Sequence, residues 1–487
     1  MTQPAPPALQ PPSERLDPRT RLVITLLLAS AFVLILNETI MGVALSHIMS
    51  ALRIQAATAQ WVTTAFMLTM AVVIPVTGFL LQRLSTRTIY CAAMISFSVG
   101  TLICAIAPDF GILVGGRVVQ AIGTAIMMPL LMTTVMQLVP PLRRGRVMGN
   151  ISIVMSVAPA IGPAVSGLIL SVLDWRGLFW VVLPLVLTML VIGILRVPNV
   201  TEPRKLRLDA PSVGLSGLGF GGLIFGLSSI GESVYHPPAV APAVPIAVGV
   251  VSLVLFVLRQ RVLQRTDEAL LDLRTFTSRT FTFSVLLMLV LMGALFGTII
   301  LLPLYLQDAL HLESLQTGLL LVPGGLTMGL LGPIVGRLFD RWGPRPLVVP
   351  GCTLVAISMG LMTQLDERSH PGTVLALHVL LSIGLALTFT PLFTSALGSL
   401  RPQLYSHGSA TIGTVQQLAG AAGTALFVVL MVTRQVTLEA TGAPTEAALA
   451  EGVSGAFVAG AALAALAIPI AAMIRKPDEV ADAPVGH

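Results

Sequence analysis

Apolar residues in this chain arrive in runs of about twenty, the length a helix needs to cross a hydrocarbon core of roughly 30 Å. Fourteen such runs can be read, at 22–45, 58–81, 88–107, 110–138, 147–172, 177–197, 212–230, 239–258, 280–307, 315–338, 346–364, 372–399, 405–433 and 452–474. The seventh and eighth are the weakest; were they re-entrant or on the surface, the count would be twelve. Only 10% of the 487 residues are charged and mean hydropathy is +0.90. A soluble globule carries roughly 25% charged residues. Aromatic content is 5%, and a membrane barrel needs aromatic girdles and alternating strands. The expected fold class is an all-α membrane protein.

The net charge of +6 does not point to nucleic acid, because the basic residues are spread over short loops. Of the 28 lysines and arginines, 23 fall in loops on the side of the N-terminus. Four (Arg53, Arg176, Arg368 and Arg434) fall opposite, and Arg117 lies inside a run. Cytoplasmic loops hold the excess of positive charge, so both termini are expected in the cytoplasm of an inner membrane. A wrong span count would scramble this separation. Residues 1–20 and 477–487 read as polar tails, the first disordered, with no cleavable signal. Cys91, Cys104 and Cys352 sit in apolar runs at no metal-ligand spacing and read as small core residues.

Two segments match at an offset of 258: Pro75, Gly78, Leu80, Arg83 and Arg87 correspond to Pro333, Gly336, Leu338, Arg341 and Arg345. The chain divides accordingly into six-span halves at 21–198 and 279–476, with an inserted pair of spans and loops at 199–278. Parallel halves create a pseudo-two-fold axis along the membrane normal and a cavity between them. The inserted seventh run carries Gly217/Gly221 and Gly222/Gly226. Small-xxx-small spacing suits close helix packing, so a peripheral packing role is expected there.

The repeat resembles the signature loop of the major facilitator superfamily, G-x-L-x-D-R-x-G-x-R. Gly336, Leu338, Asp340, Arg341, Gly343 and Arg345 keep it; the first copy has Gln82 and Ser85 in place of aspartate and glycine. Arg117, Gln120 and Gly123 look like the fourth-span element. Pro159, Gly162, Pro163 and Gly167, with Ser166 in place of a glycine, look like the fifth-span antiporter motif. Leu36-Asn37-Glu38-Thr39 is similar to the first-span L-D-x-T element of the 14-span drug:proton antiporters, with Asn37 at the aspartate position. Segments at Trp175–Phe179, Leu302–Gln307 and His407–Ala410 also fit. The ordered set resembles lincomycin-resistance-type multidrug exporters. It implies two six-helix bundles with two inserted helices, and outward drug:proton antiport.

Glu38 and Arg117 each lie about seven residues inside the far end of their runs, on the order of 10 Å at 1.5 Å per residue. Charges in hydrocarbon cost roughly 2.5–3.5 kcal/mol or more and are usually functional. The resemblance implies that the first and fourth spans both line the cavity. An arginine that moves relative to a carboxylate would load and unload its proton; a static ion pair is the competing reading. Adjacent residues differ by about 100° around a helix, so Asn37 and Glu38 cannot both face the cavity squarely. Asp308 is a second titratable candidate, with a plain loop carboxylate as its competitor. Gly78, Arg83, Gly336, Asp340, Arg341, Gly343 and Arg345 are gate candidates, with the latch expected to be weaker in the first half. Pro159, Gly162, Pro163 and Gly167 are expected to bend the fifth span. Asn37, Gln120, Asn150, Gln307, Gln416 and Gln417 are candidate substrate contacts, each equally suited to a helix–helix hydrogen bond. His378 reads as a satisfied core histidine.

Only two lysines exist, and no G-x-x-x-x-G-K phosphate loop is present. The seven histidines are dispersed. The expectation is a secondary transporter rather than an enzyme. It would be driven by the proton gradient with no bound cofactor or metal, acting as a monomer on small amphipathic molecules. Export of one dedicated metabolite, lipid or antibiotic is the alternative.

Overall fold

The computed structural model describes residues 17–199, 203–204, 207–233 and 240–474. Most of both expected tails, together with Lys205 and Lys476, lies outside them. Among the described residues there is no strand, and fourteen helices are long and apolar enough to cross a membrane. They are α1 Pro18–Leu52, α2 Trp61–Arg83, α3 Thr86–Ala105, α4 Phe110–Leu138, α5 Arg144–Leu170, α6 Trp175–Arg196 and α7 Ala210–Ser233. The others are α8 Ala243–Leu263, α9 Arg279–Leu304, α10 Ser314–Trp342, α11 Arg345–Met362, α12 Pro371–Gly398, α13 Tyr405–Ala440 and α14 Thr445–Met473.

The seventh and eighth runs are full-length helices, so the count is fourteen rather than twelve. Helix starts are marked by short polar side chains that accept from orphan backbone N–H groups. Asp17 does this for α1, Ser85 for α3, Asp109 for α4 and Asp174 for α6. Several helices overrun their apolar runs, α1 and α13 among them. α1 continues to Leu52, where Arg53 adopts a left-handed conformation (φ 51°) and stops it. Helix α13 begins at Tyr405 and runs to Ala440. Hydropathy marks where lipid ends, whereas the backbone ladder continues until a cap ends it.

Helices α1–α6 pack as one bundle and α9–α14 as another. Four helix pairs join them: α2 with α13, α5 with α10, α4 with α13, and α5 with α12. The inserted α7 and α8 pack on each other, and α7 lies along the seam between α2 and α13. Phe79, Phe256 and Ala410 cluster at one end of this seam, and Ala71, Ile224 and Ala421 further along it. Glycine lets α7 approach: a Cβ on Gly219 would lie 2.6 Å from Leu253, and one on Gly226 2.5 Å from Ile246. Because the span count is even, both described chain ends lie on one face, called the terminal face below; the other is the far face.

The pseudo-symmetry reaches individual bonds. Arg87 donates to the carbonyl of Ile194 at the end of α6, and Arg345 donates to that of Ile474 just past α14 (3.1 Å). The second arginine of each copy of the repeat therefore closes the last carbonyls of its own half, where a cation also suits the helix dipole.

Candidate functional site

Arg117 sits on α4 with no exposed surface. Its Nη1 donates to Asn37 Oδ1 on α1 at 3.2 Å and to Gln120 Oε1, one turn along α4, at 2.9 Å. Gln120 Nε2 donates in turn to Thr101 Oγ1 on α3 at 2.7 Å. The guanidinium carbon stands 4.1 Å from the centroid of the Phe66 ring on α2, a cation–π contact in a desolvated setting. Four helices thus converge on one cation. Close approach of α3 and α4 needs glycine here: a Cβ on Gly100 would lie 2.5 Å from Gln120 N.

Three buried donors in this cluster have no acceptor among the described residues: Arg117 Nε, Arg117 Nη2 and Asn37 Nδ2. Buried polar groups are nearly always paired, so these donors favour an acceptor brought close to them. Glu38 is half-buried and close enough to feel the charge of Arg117, yet the two make no ion pair within 4 Å. The structure therefore revises the expected Glu38–Arg117 facing. The 100° step around α1 gives the α4 side to Asn37 and leaves Glu38 flanking it. Thr39, the next residue, turns to α5, where a Cβ on Gly162 would lie 2.3 Å from its Oγ1. Ser166 Oγ donates to Ile40 O at 3.0 Å, a bond that glycine at this motif position could not make. Pro159 and Pro163 lie inside the continuous helix α5.

The second constellation closes the terminal face. Asp340, near the end of α10, accepts from Gly145 N (2.8 Å) and Arg146 N (2.9 Å) in the first turn of α5. A carboxylate on a helix N-terminus meets both unpaired N–H groups and the positive end of the dipole. Gly145 and Gly336 make the approach possible, since a Cβ on Gly336 would lie 2.1 Å from Gly145 O. Gly149 meets Gly332, and Gly325 meets Ala160, further along the same stripe. Gly343 turns the chain out of α10 with φ 77°. Ser152 and Thr390 join α5 to α12 at 2.6 Å, and Thr133 and Ser409 join α4 to α13 at 2.7 Å.

At the symmetry-related corner, Gln82 takes the place of Asp340. Its Nε2 donates to Gln403 O (3.3 Å) and Ser406 Oγ (3.2 Å) at the start of α13. Gly78 packs on His407, whose Nδ1 would be 3.1 Å from an added Cβ. The remaining gate candidates do not join the latch in this conformer. Arg83 and Arg341 are exposed and lean over Phe79 and Trp342, while Arg345 serves its own half.

Of the candidate substrate contacts, Asn37 and Gln120 belong to the Arg117 cluster. Asn150, Gln307 and Gln416 are half-buried, and Gln417 has a buried Nε2 with no acceptor. Asp308 is exposed on the π turn Tyr305–Ala309. Beyond the Gly325–Ala160 contact, Gly167 on α5 and Gly318 on α10 have nothing within 4 Å of an added Cβ. His378 hydrogen-bonds the backbone of Leu321 and leaves its buried Nδ1 without a partner, so the satisfied core histidine expected is met in part. Phe66, Thr101, Thr133, Ser152, Thr390 and Ser409 were not legible as site residues, because aromatic and hydroxyl side chains recur throughout such helices.

The family model for the Major Facilitator Superfamily matches residues 27–424. A lincomycin resistance protein of Listeria monocytogenes, LmrB, is 39% identical over 460 residues, covering 93% of this chain and 96% of its own length. The LmrB protein of Bacillus subtilis is 38% identical, covering 90% of this chain and 92% of its own length. A multidrug resistance protein B homolog of Mycobacterium tuberculosis is 32% identical over 76% of this chain and 68% of its own. The crystal structure of the human organic anion transporter MFSD10 superposes with a TM-score of 0.66 at 17% identity, covering 93% of this chain and all of that one. Two six-helix bundles, the first built around a buried arginine and latched to the second by an aspartate, together with a family model and relatives matched almost end to end, make the chain a multi-pass membrane transporter of the major facilitator superfamily, in its lincomycin-resistance-type branch.

Proposed function

We propose that the protein exports small amphipathic compounds of the kind its relatives' names imply, in exchange for protons, by alternating access. The observation that carries this reading is the trio of unfilled donors beside Glu38. An ionised Glu38 is drawn toward Arg117 Nε and Nη2; a protonated one loses that attraction. Since Asn37 holds the same guanidinium from α1, the exchange moves α1 against α4. Proton state would thereby be read as helix position, which is what coupling requires.

The conformer supports the same reading. Contacts between halves gather at the terminal face, from Asp340 on α5 to Gln82 on α13, while α5 and α10 part beyond Gly325. The arginine bias supports a cytoplasmic terminal face with both termini on it; the inner membrane is the proposed location. This is then the state open to the outside. The proton gradient supplies the energy without a bound cofactor, and one chain holds both halves of the pathway.

Everted vesicles, energised with an acid-inside pH gradient and given a fluorescent amphipathic cation in the bath, test the assignment. Glu38→Gln keeps the side-chain shape and removes the titrating group. Gradient-driven transport is expected to stop, while the purified variant still binds substrate and stays monodisperse. Active transport at the wild-type rate by Glu38→Gln would overturn the coupling role.

A further inference from the structure

On its outward side α8 carries Val254, Leu258 and Val262, which are 55%, 53% and 65% exposed. An open groove of about 280 Å³ runs along this side, lined by Leu253, Val254, Val257, Leu258 and Arg261. It continues into a cavity of about 400 Å³ between the end of α8 and the loop that follows, where Arg261, Gln264, Arg274 and Phe276 form the walls. Val257 and Arg261 line both, so the two adjoin. The apolar part faces where lipid chains lie, and the polar part begins two residues before α8 ends, at the headgroup level.

The polar end is chemically specific. Among the described residues no carboxylate lines either part. Arg261 has no ion pair or hydrogen bond among the described residues. Arg259, which points to the other side of α8, is held by Asp209, and Arg274 is held by Asp267 and Asp272. Gln264 Oε1 is buried without a donor. An unpaired guanidinium and an unfilled acceptor above an apolar groove match a phosphodiester that carries hydroxyl groups. Basic pockets at this membrane level suit anionic lipid headgroups.

We propose that this space binds one anionic phospholipid. Its phosphate is held by Arg261, a headgroup hydroxyl by Gln264, and an acyl chain lies along Leu253, Val254 and Leu258. The site is built into the inserted pair and lies outside the transport pathway between the halves. It also touches a loop that reaches the gate. Gln260, fully buried, donates to Ser212 Oγ (2.8 Å) and accepts from Leu270 N (2.8 Å) and Leu271 N (3.2 Å). Leu270 and Leu271 in turn pack with Phe79 of α2 and Ala410 of α13.

The test uses the full-length protein in detergent, titrated separately with phosphatidylglycerol and phosphatidylcholine, with retained lipid counted by native mass spectrometry. One phosphatidylglycerol should be retained in preference to phosphatidylcholine. Arg261→Gln, at an exposed position, should weaken retention by about fivefold, the effect of removing one basic side chain near a charged headgroup. Leu258→Trp should block the groove and lower retention of both the first lipid and its thermal stabilisation. Equal retention of the two lipids, or wild-type phosphatidylglycerol retention by both variants, would overturn the proposal. Binding is the readout, so the outcome is independent of whether Glu38 couples protons.

Discussion

Arg117 has five N–H donors and no acceptor, and only its Nη1 is used, by Asn37 and Gln120. Such a group is tolerated at 0% exposure because the Phe66 ring covers it and two amide oxygens share its charge. Asn37 is therefore the structural partner at this depth, and Glu38 flanks the pair without joining it. Asn37→Leu removes one of the two acceptors and leaves the guanidinium with Gln120 alone. A buried group stripped of its partner costs about 1–3 kcal/mol. The thermal midpoint in detergent is expected to fall accordingly, and an unchanged midpoint would show that Asn37 contributes nothing to holding Arg117.

Among elements, the inserted hairpin is tied at the terminal face by an ion pair with two short bonds. Arg259 Nε and Nη2 reach Asp209 at 2.6 and 2.7 Å, and Ser212 N and Oγ donate to the same carboxylate. Asp209, at the start of α7, is held well below the usual carboxylate range, first by the hydrogen bond from Arg259 and then by those from Ser212. A depressed folded-state pKa gives stability that is present above the ordinary aspartate value of about 3.9 and is lost as pH falls toward the folded value. Asp209→Asn keeps an acceptor for Ser212 and removes the charge. The gap in stability between wild type and this variant should be widest at neutral pH and narrow as pH drops below about 4. A gap that does not change with pH would mean the ion pair adds nothing beyond the hydrogen bonds. The hairpin also explains why the first signature copy can lack its aspartate. Gln82 ties the halves at that corner while Leu270 and Leu271 pack beneath the same seam.

At the scale of the whole molecule, the two seams between halves differ. The α2–α13 seam is covered by α7 from Phe79 to Ala71, and Trp61 and Phe225 stack near it with ring centroids 6.1 Å apart. The α5–α10 seam is uncovered, and its small residues recur at three- and four-residue steps along both helices. Those from Gly145 to Ala160 and from Gly336 to Gly325 are in contact. Gly167 and Gly318 continue the two rows with nothing to meet. Under alternating access, the unused end of the stripe is the contact surface of the opposite state. A disulfide requires Cα atoms about 4.4–6.8 Å apart. Gly167→Cys paired with Gly318→Cys should thus cross-link only when the terminal face opens, with yield rising under substrate on that side. Cross-linking that is independent of substrate and gradient would argue against this seam as the moving one.

Helix count, their pairing into halves and the uneven spread of the arginines were legible in the sequence, because each follows from composition read along the chain: about twenty residues per crossing, and an offset of 258 residues between matching positions of the halves. Asp340 and Arg117 were legible too, since a charge beside or within lipid has few tolerable explanations. The tertiary structure alone decided who meets them. Asn37 rather than Glu38 reaches Arg117, because helix rotation, not depth, sets which neighbour a side chain faces. Arg345 closes its own half while Asp340 crosses to the other, although both lie in the same short motif. Sequence determines which groups lipid will not tolerate unpaired; only the packing of one helix on another determines the partner.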